Sequence, residues 1–340
     1  MNSIGVDLHK TIITVCVMDE KFKILARHTL YSNNPEAIVA FFQKWRPFQV
    51  VVEATASYLW FADLLEPLAD AFVLANPKKM RVIAESSKKT DRLDAQVLAE
   101  FLAREMINKS YMPTPRQRQH RALVRHRQYL IGRTTSVRCK IRHILADVNS
   151  DRRDLFSRNC GLDYIKKVNL GEGQKAVVLQ LWEELEQHKQ RIADLARTIK
   201  EFIKKAPQRE VEARAIVKTA PGMGLVTTEV ILSELGDVSR FRNAKAVSAY
   251  AGLVPAVRQS GGKKSKDLHI TKEGSRLLRW ALVEAAWRLV AKSIAWRFRY
   301  ERLKKRAGAK RAIVGIARKL LCVLYAMLRT GTPYKILAPR

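Results

Sequence analysis

Asp91 and Asp94 stand three residues apart in Lys89-Thr90-Asp91-Arg92-Leu93-Asp94-Ala95. The run that follows, Ala95 to Leu102, is a strong helix former with apolar residues at three- and four-residue steps. The spacing predicts one acidic face in the first turn, where the helix dipole tolerates paired negative charge. By themselves the two acids also read as an N-cap at Thr90 or Asp91 and a solvated Asp94. Two further acids change that balance. Asp7 lies near the end of the apolar run Ser3-Ile4-Gly5-Val6-Asp7-Leu8, and Glu53 closes Gln49-Val50-Val51-Val52-Glu53. A carboxylate beside a core costs several kcal/mol, on the order of 3–5, unless it is paired or metal-bound. Open α/β sheets place ligands beyond the carboxyl ends of their strands, so both acids are expected to face one crevice. Asp7, Glu53, Asp91 and Asp94 together offer enough oxygen for two Mg²⁺ ions about 3.5–4 Å apart.

The elements that must position these acids follow from local patterning. Ser3–Leu8 and Ile12–Met18 read as strands, the second β-branched, and Phe22–Leu30 reads as a third with rough alternation. Asn34–Trp45 and Tyr58–Ala69 read as helices, the latter capped by Ser57, with Ala71–Ala75 as a short strand. Lys88 and Lys89 precede the acidic helix and are candidates for phosphate contact.

The order of strand with Asp, hairpin, third strand, helix, strand with Glu, then helical Asp-x-x-Asp resembles the ribonuclease H fold of the Holliday-junction resolvases. The wording Ile4-Gly5-Val6-Asp7-Leu8-His9-Lys10, Val52-Glu53-Ala54-Thr55 and Lys89-Thr90-Asp91-Arg92-Leu93-Asp94-Ala95 is similar to the DEDD transposases of insertion sequences. These are bridge-RNA-guided recombinases related to the pilin-gene invertase.

Lys and Arg number 63 against 32 Asp and Glu, a formal net charge of +31. That excess points to a polyanionic partner, nucleic acid ahead of a membrane surface. No apolar run reaches the roughly 18 residues of a spanning helix, since Arg318 and Lys319 interrupt Ala312–Leu328. No signal peptide is apparent, and Cys16, Cys139, Cys160 and Cys322 are scattered without metal or redox spacing. A cytoplasmic protein is expected.

Pro113-Thr114-Pro115 reads as a linker. From there to Asp147 no acid occurs, while Arg116, Arg121 and Arg125, candidate nucleic-acid contacts, open a row of nine bases able to lie along a nucleic-acid backbone. Beneath that charge Leu123, Leu130, Val137 and Ile144 recur at seven-residue steps. A second helix carries Leu181, Leu185, His188, Ile192, Leu195 and Ile199 at steps of four and three, with His188 as a seam residue. A basic coiled-coil arm, either an antiparallel hairpin or a dimerising coiled coil, is expected over 113–205, following a catalytic domain over 1–112.

Residues 206–340 are expected to form a mainly helical domain. Pro221-Gly222-Met223-Gly224 running into a helix resembles a helix-hairpin-helix element, with a tight turn as the equal alternative. Arg258-Gln259-Ser260-Gly261-Gly262-Lys263-Lys264-Ser265 reads either as a flexible phosphate-binding loop or as the seat of a nucleophile, Ser260. Gly252-Leu253-Val254-Pro255, Ser260-Gly261-Gly262-Lys263, His269-Ile270-Thr271-Lys272-Glu273-Gly274 and Leu278-Arg279 resemble the serine-bearing domain of the same transposases. The resemblance implies that Ser260 links covalently to DNA while Asp7, Glu53, Asp91 and Asp94 hold Mg²⁺ at a composite site shared between protomers. Gln259 stands where the family often has a second serine, and Leu268 where a glycine is common, so Ser265 is a rival nucleophile. Arg258, Lys263, Lys264, Lys272 and Arg279 are candidate nucleic-acid contacts. Trp280, Trp287, Trp296 and Phe298 are expected mostly in the core, with stacking on bases the minority alternative.

These features imply an α/β plus α protein with a RuvC-like domain, acting as a Mg²⁺-dependent transposase with a serine–DNA intermediate. Donor and target DNA, a structured guide RNA and a dimer or tetramer of the chain are the implied partners. A hydrolytic junction resolvase using the four acids and water, and a non-enzymatic nucleic-acid-binding protein, are the alternatives.

Overall fold

The structure is a computed structural model describing residues 1–54, 57–81, 91–157, 160–257, 259–260, 263–264 and 269–335. For Arg81, Asp91, Arg92, Gln259, Ser260, Lys263 and Lys264 it describes the backbone only. Lys88, Lys89, Arg258 and Ser265 lie outside the described residues. The chain divides into two compact units, Met1–Met112 and Pro113–Arg340.

The first unit runs β1 (Asn2–Leu8), β2 (Ile12–Met18), β3 (Ile24–Tyr31), α1 (Pro35–Gln43), β4 (Phe48–Glu53), α2 (Tyr58–Leu65), β5 (Ala71–Ala75), α3 (Pro77–Arg81) and α4 (Asp91–Ala103). Its five strands are ordered β3-β2-β1-β4-β5, with β1–β2 and β2–β3 antiparallel and β1–β4 and β4–β5 parallel. This mixed sheet is compatible with a ribonuclease-H-like domain. β2 and β4 are rich in β-branched residues, and the alternation of side chains along each strand then sorts the two faces. Ile4, Val6, Leu8, Val50 and Val52 pack with Ile38 and Phe42 of α1 and Phe61 and Leu65 of α2. Asn34 caps α1 by accepting from the Ala37 amide. Ser57 makes no such side-chain bond to α2.

The opposite face is covered by α4. Val51, Val73 and Ala75 meet Leu98 and Leu102, while Cys16 and Met18 meet Ala95 and Ala99. The contact is closest at Gly5, where a Cβ would lie 2.1 Å from the Ala95 carbonyl and 2.4 Å from the Ala99 amide nitrogen. Backbone packs directly on backbone there, so only glycine fits.

The second unit is helical: α5 (Pro115–Asp147), α6 (Gly161–Lys167), α7 (Glu172–Lys204), α8 (Gln208–Lys218), α9 (Leu225–Leu235) and α10 (Ala244–Tyr250), then β6 (Gln259–Ser260), β7 (Lys263–Lys264), α11 (Arg276–Lys292), α12 (Ile294–Ala307) and α13 (Ala309–Thr330). The stretch read as a linker lies at the boundary between the two units, and its last residue, Pro115, begins α5. Thr114 is its N-cap, accepting from the Gln117 amide, and Pro115 takes the first helical position, where a missing N–H costs nothing. Arg116 donates to the Phe202 carbonyl and Arg133 pairs with Glu184, so α5 and α7 run antiparallel. The buried positions of α5 include Gln117, His120, Val124, Leu130, Thr134 and Val137. They drift from the heptad row because a straight helix repeats every 3.6 residues and α5 packs on α9 as well as α7. His188 is buried in this seam, 3.2 Å from Glu184. Residues 151–172, without evident periodicity, contain the short helix α6, whose Ile165 joins a cluster with Leu145, Leu155 and Trp182.

Gly5→Ala is expected to destabilise the first unit by about 3 kcal/mol, the upper end of overpacking costs, because backbone atoms cannot yield as a flexible side chain does. Thermal unfolding followed by circular dichroism checks this, with an expected fall in melting temperature of about 4–8 °C per kcal/mol in a unit of this size.

Candidate functional site

The last registered pair of β1 and β4 is Val6 with Val52, so Asp7 and Glu53 are the next residues on neighbouring parallel strands. Asp7 shares the parity of Gly5, and Glu53 that of Val51, so both belong to the face that α4 covers. The direction of α4 is set by its far end. Arg104, just past the helix, lies 4.3 Å over the Phe22 ring in the β2–β3 turn, beside the amino end of β1. The first turn of α4 therefore lies toward the carboxyl ends of β1 and β4. Asp94, half-buried, continues the Leu98–Leu102 stripe one turn earlier, on the side facing β4 and β5.

Asp7 is 17% exposed, and its Oδ2 lies 3.1 Å from Nε2 of His9, which is 54% exposed. His9 was not picked out from sequence, although it stands two residues on and so shares the Asp7 face by alternation. Among the described residues no three His, Cys, Asp or Glu side chains converge closely enough to hold a metal ion. The side chain of Asp91 is outside the described residues. Asp7, Glu53 and Asp94 bring carboxylates to this end of the sheet, the oxygen chemistry that a hard divalent cation takes, beside the His9 imidazole.

In the second unit Ser260 lies in a two-stranded hairpin, paired with Lys263, and Gln259 pairs with Lys264. The register leaves two residues between the strands, Gly261 and Gly262, which are outside the described residues. Toward the hairpin's root, Val254–Ala256 pairs with His269–Thr271. Ala256 donates its amide hydrogen to the His269 carbonyl, and Thr271 donates to Val254. Below that root two turns interlock. Gly252, at φ +67°, would put a Cβ 2.0 Å from the Glu273 carbonyl, and Gly274, at φ +82°, one 2.0 Å from the Tyr250 carbonyl. Arg279 closes the clasp by donating to the carbonyls of Ala251, Glu273 and Gly274. Burial and the charge of Arg276 lower its pKa. Lys272, an exposed residue at φ +55°, donates its amide to Gly252. The Gly252–Pro255 and His269–Gly274 motifs are thus the base on which the serine hairpin stands.

The basic residues at the start of α5 have partners within the chain. Arg116 makes a two-pronged pair with Glu210 and lies 4.2 Å over the Phe202 ring. Arg121 donates to the carbonyls of Ser233 and Glu234, capping the carboxyl end of α9, and Arg125 forks onto the buried Glu234 carboxylate. Together they bind α5 to α8 and α9. Next to them, and unnoticed in the sequence, Glu229 is held by Arg214 at 2.7 and 3.0 Å and by His120 at 3.1 Å, all three buried. Burial pushes the Glu229 carboxyl up, but bonds and charge from His120 and Arg214 outweigh it and hold the pKa below the usual carboxylate range. Acids spaced on separate helices leave no local sequence signal for such a network.

The first unit defines a mixed α/β domain with carboxylates gathered at the carboxyl ends of its central strands. Two family models match the chain: an IS110-type DEDD transposase over residues 4–150, and the Transposase IS116/IS110/IS902 family over residues 214–301. The chain belongs to the DEDD transposase family of insertion sequences. It is 25% identical to the transposase for insertion sequence element IS1111A of Coxiella burnetii, over 98% of this chain and 91% of that protein. A pilin gene-inverting protein of Moraxella lacunata is 32% identical over 42% of this chain and 45% of its own length. The transposase for insertion sequence element IS1328 of Yersinia enterocolitica is 23% identical over 83% and 82%.

Because the folded Glu229 carboxyl holds its proton less tightly than an unfolded one, its stabilisation is present above the unfolded value of about 4.3 and is lost as pH falls through the folded value. Urea midpoints should therefore drop on acidification below about pH 4.5, and Glu229→Gln should remove part of that slope. The same variant is expected to cost about 3–5 kcal/mol at neutral pH by leaving Arg214 buried without its partner.

Proposed function

We propose that this protein is a transposase that cuts and rejoins DNA strands through a covalent serine–DNA intermediate. Family membership supports a DNA substrate and a divalent metal. The serine and the guide go further than the comparisons. The observation that supports the reading most is Asp7 and Glu53 on one face at the ends of adjacent parallel strands, with the first turn of α4 toward that end. Asp7, Glu53, Asp91 and Asp94 are the residues that would hold the metal, two Mg²⁺ ions in this reading. When bound, the ions withdraw charge from the scissile phosphate and favour a deprotonated nucleophile.

The chain's own groups do the rest. Ser260 Oγ attacks phosphorus, an Oγ–P bond forms, the bridging P–O bond breaks, and the hydroxyl proton passes to the departing sugar oxygen. The bond energy is kept in the phosphoserine ester, so a hydroxyl from another strand can reverse the step without ATP. Gly261 and Gly262, which follow Ser260 in sequence and carry no Cβ, allow close approach of a phosphodiester, and Lys263 and Lys264 offer it positive charge. His9 orients the Asp7 carboxylate. The α5–α7 hairpin serves as a coiled-coil arm whose Arg116, Arg121 and Arg125 face nucleic acid as well as their partners in the chain, and Pro221–Gly224 between α8 and α9 as a helix-hairpin-helix-like backbone contact. Lys88, Lys89, Arg258, Lys272 and Arg279 belong to the nucleic-acid surface, and a structured RNA supplies target choice. Dimers or tetramers in the cytoplasm complete the composite site. Among the described residues no helix is long and apolar enough to cross a membrane.

Incubating the protein with Mg²⁺, its co-purifying RNA and the element's junction DNA should yield a serine–DNA adduct, mapped by mass spectrometry to Ser260. Ser260→Ala should abolish the adduct, and Asp7→Ala should slow cleavage by about 10²-fold or more. Cutting that persists in Ser260→Ala without an adduct would establish a hydrolytic resolvase. Cleavage indifferent to Asp7→Ala and to chelation would leave only a binding protein, and an adduct at Ser265 would reassign the nucleophile.

A further inference from the structure

Trp280 and Trp287 stand seven residues apart on α11 and are 37% and 45% exposed. The core does not use them. The buried stripe of α11 is Leu278, Ala281, Leu282, Ala285, Ala286 and Leu289, which packs with α9 and α13. Seven residues are about two turns and about 10.5 Å of rise, so the indoles lie on one side of the helix. That rise equals about three base-stacking steps of about 3.4 Å. The Trp287 ring meets Tyr300 edge-on, with centroids 5.5 Å apart at 63°, which props the indole and leaves part of it open. Trp296, by contrast, is fully buried and donates to the Tyr334 hydroxyl.

Charge identifies what covers this stripe. From Arg276 to Arg311 the chain carries twelve Lys or Arg against two acids, Glu284 and Glu301. Arg276 and Lys292, both exposed, bracket the indoles. A partner for two flat apolar rings in a strongly positive field must itself be flat and anionic, which describes unpaired bases on a phosphate backbone. A paired duplex buries those faces in its own stack.

We propose that α11 is a stacking platform for unpaired DNA, with one base on Trp280, one on Trp287, and flanking phosphates at Arg276 and Lys292. The proposal rests on the strand-exchange reading, since exchange leaves DNA bases unpaired between cutting and rejoining. It commits to DNA because DNA is the substrate class that the family implies.

The test uses the full chain and fluorescein-labelled oligothymidylate of about fifteen nucleotides, a blunt duplex of equal length, and oligouridylate. Trp280→Ala and Trp287→Ala should each weaken oligothymidylate binding about tenfold, change duplex binding less than twofold, and reduce the quenching of tryptophan fluorescence by the oligonucleotide. Phe at either position should restore most of the affinity. Equal losses on duplex and single strand, or no loss, would overturn the platform. A larger loss on oligouridylate would make it an RNA surface, and a smaller particle by light scattering would make it a contact between copies of this chain. The serine-adduct assay on the same variants separates the two readings: an adduct formed while oligothymidylate affinity is unchanged overturns the platform alone.

Discussion

A glycine at position 5 is the condition on which the first unit's arrangement depends. With no Cβ between them, the central strand and the backbone of α4 at Ala95 and Ala99 come into direct contact. Any side chain at that point would lift the helix from the sheet. Lifting it would carry Asp94 away from the strand ends where Asp7 and Glu53 emerge. A close backbone approach two residues before Asp7 therefore helps to position the acids.

The serine-bearing segment is built by a related device in the second unit. Gly252 and Gly274, both at positive φ, let two turns interlock, and Arg279 ties three carbonyls across them. A short hairpin carrying a reactive hydroxyl needs such a base, because two isolated strands are marginally stable in water. Buried ion pairs perform the corresponding task for the long helix α5. Glu234 is compensated by the forked guanidinium of Arg125 from α5 and Glu229 by that of Arg214 from α8, which ties both helices to α9.

The strands, the acidic helix and the glycine-rich serine loop could be read from short-range pattern, since alternation, apolar spacing and glycine placement are local properties. Features with distant partners left no such pattern. Arg116, Arg121 and Arg125 meet carboxylate and carbonyl partners about a hundred residues on. Pro115 starts a helix because Thr114 supplies the cap, just past the unit boundary at Met112–Pro113. Helix α6 had no periodicity to announce it and folds because the cluster around Leu145, Leu155 and Trp182 gives it a surface to cover. Trp280, Trp287 and Phe298 carry an apolar label that suggests the interior, but all three are exposed.

Residue order alone determined that acids close two apolar strands, that a second pair opens a helix, and that the chain carries an excess of positive charge. Those are statements about neighbours along the chain, and backbone periodicity is enough to make them. Only the tertiary structure decided that Asp7 and Glu53 share one face, that the acidic end of α4 points toward them, and that two tryptophans remain outside the core. Register, helix direction and burial are settled by contacts between residues far apart in sequence, where no local pattern reaches.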